Sequence, residues 1–116
     1  MEFTERKVLI LVNSKPFGTI IANEGWRAAV GMFGMDHESQ MLFVGDGVYG
    51  LMKDQDIKPI RMFKSTFESF DGRVCASKKS LEERNIDASE IFESVEILED
   101  ADVAKTLVEN EIVITF

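Results

Sequence analysis

The sequence predicts an α/β three-layer sandwich, a five-stranded parallel sheet covered by helices on both faces. Three observations carry this. Short apolar runs rich in β-branched residues occur five times along the chain. Helical-period stretches separate them, and a strand that returns parallel to its neighbour needs such a crossover. The 116 residues are 45% hydrophobic, with nine Phe and six Met, which suits one domain over 1–116 with a buried core of its own. The arrangement is flavodoxin-like, although the order of the strands across the sheet does not follow from the pattern.

The first strand is Lys7–Val12 (KVLILV), an unbroken apolar run of the kind found in strands buried on both faces. Asn13–Gly18 breaks it with turn residues, and Thr19 is placed to cap a helix from Ile20 to Met35. Met41–Gly45 (MLFVG) is the second strand. Asp46-Gly47 turns the chain, and Val48–Met52 forms a short helical turn. Pro59 fits the first position of the next helix, with Ile60, Phe63, Phe67 and Phe70 at helical spacing. Gly72–Ala76 (GRVCA) is the third strand, and Ser80 with Glu83 three residues on has the capping-box pattern of a helix reaching Arg84. Val95–Leu98 is the fourth strand. Asp100 then caps a helix with Val103, Leu107 and Val108 on its apolar face, and Glu111–Phe116 (EIVITF) is the fifth strand. No linker, repeat or low-complexity segment interrupts the series.

The helix after the first strand carries two apolar stripes. One holds Ile21, Gly25, Ala28, Ala29, Met32 and Met35, and the other holds Ala22, Trp26, Val30 and Phe33. The second stripe needs a cover. It is either the Phe-rich helix of the same chain or another subunit, and excess apolar surface in a chain this small predicts an oligomer built on Trp26/Val30/Phe33 or on Ile60–Phe70.

Charge and cysteine content exclude several classes. Asp and Glu number 21 against 13 Lys and Arg, a net charge of −8, so direct nucleic-acid or anionic-membrane binding is not expected. Eleven acids stand between Glu82 and Glu111 against Arg84 and Lys105, a solvated face or a dock for a basic partner. The longest aliphatic run, Val8–Val12, is far short of the roughly 20 residues that span a bilayer. The opening MEFTERK lacks the apolar stretch of a secretory leader, which predicts a soluble cytoplasmic protein. A single cysteine excludes an intrachain disulfide framework and a structural zinc finger.

Cys75 is the candidate catalytic residue. It is predicted at the C-terminal end of a strand just before a helix, the edge where open parallel sheets gather reactive groups. A helix dipole there, with Lys78, Lys79 and Arg84 following, would favour thiolate. The opposing reading makes Cys75 a small buried hydrophobe. Asp36-His37-Glu38 offers three metal-ligand types, but consecutive residues point apart, so no metal site is expected. The loop Asn13–Thr19 is a poor phosphate cradle because it has one Gly and Pro16 removes a donor, so no cofactor is expected.

Several segments in order support a further identification: SKPFGT (14–19), NEGWRAAVG (23–31), FVGDGVYGLM (43–52), VCASKKSLEERNID (74–87) and the ending VITF (113–116). Together they resemble the DsrE/DsrF-like sulfur-relay proteins, closest to the DsrF/TusC branch. The resemblance implies a DsrEFH-like five-stranded parallel sheet, and homo-oligomers or hetero-oligomers with related DsrE-like subunits. It also implies sulfur donor and acceptor proteins as partners, and handling of protein-bound persulfide for tRNA thiolation or sulfur oxidation. In one branch the cysteine at the position matched by Cys75 carries the persulfide; the branch resembled here generally does not use it. Two roles therefore stand side by side, a sulfur carrier working through Cys75 and a subunit that supports an oligomer. The alternative from another class is a small flavodoxin-like ligand-binding domain without sulfur chemistry.

Overall fold

The computed structural model describes residues 4–116. Its strands are β1 (Lys7–Val12), β2 (Glu38–Phe43), β3 (Arg73–Ser77), β4 (Glu96–Leu98) and β5 (Ile112–Thr115). Its α-helices are α1 (Ile21–Gly34), α2 (Arg61–Ser69), α3 (Lys78–Glu83) and α4 (Asp100–Glu109). The strands form one sheet in the order β4-β3-β2-β1-β5, and every pair is parallel. The predicted three-layer class therefore holds. The strand order departs from the 2-1-3-4-5 of flavodoxin sheets, so the likeness to flavodoxin lies in the layers.

This order decides which helix covers which face. From β1 to β4 each crossover steps in the same direction, and right-handed connections put α1, α2 and α3 on one face. Val8, Ile10, Val12, Met41, Phe43, Val74 and Ala76 point there and pack with Trp26, Ala29, Phe67 and Leu81 into the main core. The connection from β4 to β5 runs back across the sheet, so α4 lies on the opposite face. A smaller cluster forms there from Leu9, Leu42, Cys75 and Leu98, with Val103 of α4 packed on it.

Several local expectations are corrected. The second strand starts at Glu38, because the parallel register pairs Lys7 with Glu38 and Val8 with Ser39 and draws polar residues into the ladder. It ends at Phe43, and the chain passes through a 3-10 turn over Gly45–Leu51. Gly47 there presses on β1: a Cβ would stand 2.2 Å from the Val12 carbonyl oxygen, so no other residue fits without moving backbone. Thr19 does not cap α1; Ile20 is the N-cap residue and contributes no side-chain bond. Pro59 lies in the turn before α2, whose N-cap is Ile60. Ser77, not Ser80, caps α3, its Oγ accepting from Ser80 N at 3.2 Å. Glu99 rather than Asp100 occupies the N-cap of α4, again without a side-chain bond.

The second stripe of α1 is covered within the chain. Trp26 packs on Phe43 and edge-on to Phe67, with ring centroids 5.7 and 6.2 Å apart, and Phe33 packs on Phe67 and Phe70 at 5.5 and 5.3 Å. The Trp26/Val30/Phe33 face is thus largely taken up by the α1–α2 packing, with Trp26 buried and Val30 and Phe33 partly buried. Of the Phe-rich segment, Met62 and Phe70 remain exposed.

Candidate functional site

Cys75 sits in the middle of β3, between Leu42 of β2 and Glu96 of β4 in the register. It is not at the strand's C-terminal end, as the sequence suggested; Ser77 is, and it starts α3. Alternation along the strand sends Val74 and Ala76 into the main core and turns Arg73, Cys75 and Ser77 to the α4 face. The thiol has no solvent exposure. Burial pushes its pKa up to about 11, against a pull downward from Arg73 and a smaller push upward from Glu96. Removing water disfavours the charged thiolate more than the neighbouring guanidinium favours it.

Of the cations expected to activate the thiol, Lys78 and Arg84 are engaged elsewhere, and Lys79 is exposed. Lys78 Nζ lies 2.9 Å from Glu99 Oε1, and that hydrogen bond raises the lysine pKa. Arg84 donates from Nε to Asp46 Oδ1 at 3.1 Å and from Nη1 to the Ser80 carbonyl at 3.1 Å. The cation that acts on Cys75 is Arg73, two residues upstream on the same face. A guanidinium two positions before a cysteine in a strand is a period-two signal, and it was legible in the sequence. Arg73 is itself held by Glu96 through two bonds, at 2.7 and 3.2 Å, which lower the carboxyl pKa and raise that of the guanidinium.

At the C-terminal edge of β2 and β3 a polar joint locks the chain. Gly45 N donates to Ser80 Oγ at 2.9 Å, and the Arg84–Asp46 pair ties the 3-10 turn to α3. Gly45 has φ +53, a left-handed conformation that favours glycine. Beside this joint, the loop after β1, the start of α1 and the segment before α2 enclose a cleft of about 240 Å³. Trp26, Phe43 and Ile60 form apolar walls, with Asn23, Gln55 and Asp56 as its polar groups. His37 belongs to the opposite end of the sheet, where its Nδ1 accepts from Arg6 N at 3.0 Å. The structure therefore does not bring His37 together with Cys75. Among the described residues, no three His, Cys, Asp or Glu side chains converge as metal ligands, and no helix is long and apolar enough to cross a membrane.

Comparison with known proteins places this arrangement. The sequence model of the DsrE/DsrF-like family matches residues 6–116. The intracellular sulfur oxidation protein DsrF of Allochromatium vinosum is 28% identical to this chain, with 96% of each chain covered. The crystal structure of the ychN protein from E. coli superposes with a TM-score of 0.83 at 19% identity, over 96% of this chain and 99% of that one. MTH1491 from Methanobacterium thermoautotrophicum, described as a protein of unknown function, gives 0.69 at 15% identity over 97% and 100%. These two structures are alike in fold.

Proposed function

The chain belongs to the DsrE/DsrF-like family, and from that premise we propose that it is a supporting subunit of a cytoplasmic sulfur-relay assembly. The assembly would pass protein-bound persulfide sulfur, for tRNA thiolation or sulfur oxidation, between donor and acceptor proteins. The subunit's part is to complete a homo-oligomer or a hetero-oligomer with related chains, while Cys75 stays out of the transfer. Similarity to a protein described as acting in intracellular sulfur oxidation supports the pathway. The observation that carries the supporting role is the complete burial of the lone thiol beneath α4. A sulfur carrier needs an accessible thiolate, because the thiolate attacks the outer sulfur of the donor persulfide and the donor's thiolate departs. A protonated thiol without solvent contact does neither.

Loading the protein with a persulfide donor and reading intact mass tests this. No sulfur should be gained during the time in which a related chain with an accessible cysteine is fully loaded. Gain of one sulfur atom per chain at that rate, abolished in Cys75→Ser, would make the chain a carrier and overturn the supporting role.

A further inference from the structure

The face of the sheet that holds Cys75 is the thinner half of the molecule. Among the described residues, seventeen buried ones make the main core, whereas four make the cluster under α4, with Leu11, Val44 and Val103 partly buried beside them. The helix that covers this cluster is oriented with little apolar surface inward. Val103, Thr106 and Asn110 face the sheet, while Leu107 is 37% and Val108 84% exposed. The inward polar groups bond along the helix itself: Thr106 Oγ1 donates to the Asp102 carbonyl at 2.8 Å, and Asn110 Nδ2 to the Thr106 carbonyl at 2.8 Å. Those bonds stiffen α4 and do not tie it to the strands. At its start, the Lys78–Glu99 pair is half exposed, a kind of contact that contributes little.

We propose that α4 is a displaceable cover. It leaves the sheet as a unit while the strands and the other three helices stay folded, and this excursion is the route by which Cys75 meets solvent. Segments with few buried apolar contacts open at a lower free-energy cost than the whole domain, and they open independently of it. The cover deepens the reading given above, since it explains how a family cysteine is kept silent. It stands or falls on a separate measurement.

That measurement is the rate at which Cys75 reacts with a chromogenic aromatic disulfide, followed against urea. The Cys75 thiolate attacks one sulfur, a mixed disulfide forms, and the coloured aromatic thiolate is released. The rate in the folded protein should be well below that of the urea-unfolded chain. It should rise only shallowly at low urea, because little surface is exposed on opening, and then join a steep limb set by global unfolding. Lys78→Ala should raise the low-urea rate about two- to five-fold. Thr106→Val, which puts an apolar group against the sheet, should lower it about two-fold or more. Each should move the steep limb by the same factor, because the contact it alters is absent from the unfolded chain as well as from the opened state. A single steep dependence at all urea concentrations would show that the thiol is reached only by global unfolding, and would overturn the proposal. So would reaction at the unfolded-chain rate without urea, or no response to either variant. Reaction at the unfolded-chain rate without urea would also remove the burial on which the supporting role rests, whereas the other outcomes leave that reading to be judged by persulfide loading alone.

Discussion

Cys75 shows how position on a strand outweighs position in sequence. Reading GRVCA as a strand that ends at Ala76 puts the cysteine next to a helix N-terminus, where a thiolate is favoured. The strand runs one residue further, to Ser77, and the thiol stands mid-strand beneath α4. Ser80 has Glu83 three residues on and matches the capping-box pattern, whereas Ser77 has only Ser80 there, so the pattern points to the wrong serine. The linkage has a testable sign. The folded pKa of Cys75 is raised to about 11 from an ordinary value near 9.0, so the folded chain holds the proton more tightly than the unfolded one. The stability this contributes is complete below the unfolded pKa and is lost as pH rises through the folded one. Between about pH 9 and 11, stability should fall with an added slope approaching about 1.4 kcal/mol per pH unit. Cys75→Ala should remove that component in urea titrations at stepped pH. Equal alkaline slopes in the two proteins would mean that the thiol is not desolvated.

Among the elements, β1 was legible to the residue because both its faces are buried and its run has no polar interruption. β2 was not, because Glu38, Ser39 and Gln40 carry no strand pattern and enter the ladder only through pairing with Lys7–Leu9. The spacing of Val103, Leu107 and Val108 suggested an inward stripe for α4, yet the helix turns Thr106 inward and leaves Val108 out. Helical periodicity identifies a helix but does not say which of two weakly apolar faces meets the sheet. The capping box of Asp87 and Glu90, which opens a short 3-10 turn over Ala88–Glu90, was present in the sequence as D-x-x-E. The pairing of α1 with α2 gives the clearest energetic expectation. Phe67 is fully buried between Trp26 and Phe33, and its ring also fills the space beside Gly72. Phe67→Ala should cost about 3–5 kcal/mol in chemical denaturation and leave the assembled mass at native conditions unchanged. A loss below about 1 kcal/mol together with dissociation would move this contact from the core to a subunit interface.

At the scale of the whole molecule, charge would govern how copies of the chain meet in the oligomer proposed above. Each carries a net charge of −8, concentrated in the segment from Glu82 to Glu111. Within the chain many of these acids already have partners, among them Arg73 with Glu96, Lys78 with Glu99 and Arg6 with Glu111. The excess is therefore left to face outward. Exposed apolar residues, including Phe17, Ile20 and Met62, supply attraction that does not depend on salt, while like-charged subunits repel over a Debye length. That length is about 30 Å at 0.01 M salt and about 8 Å at 0.15 M, so repulsion between whole subunits is strong in the first case and confined to close contacts in the second. Self-association should accordingly strengthen as salt rises across this range, whereas docking of a basic partner on the acidic segment should weaken. Light scattering on the purified chain at fixed concentration reads the first effect directly. A mass that falls with added salt would mean that opposite charges meet across the contact between copies, and the apolar account of that contact would be abandoned.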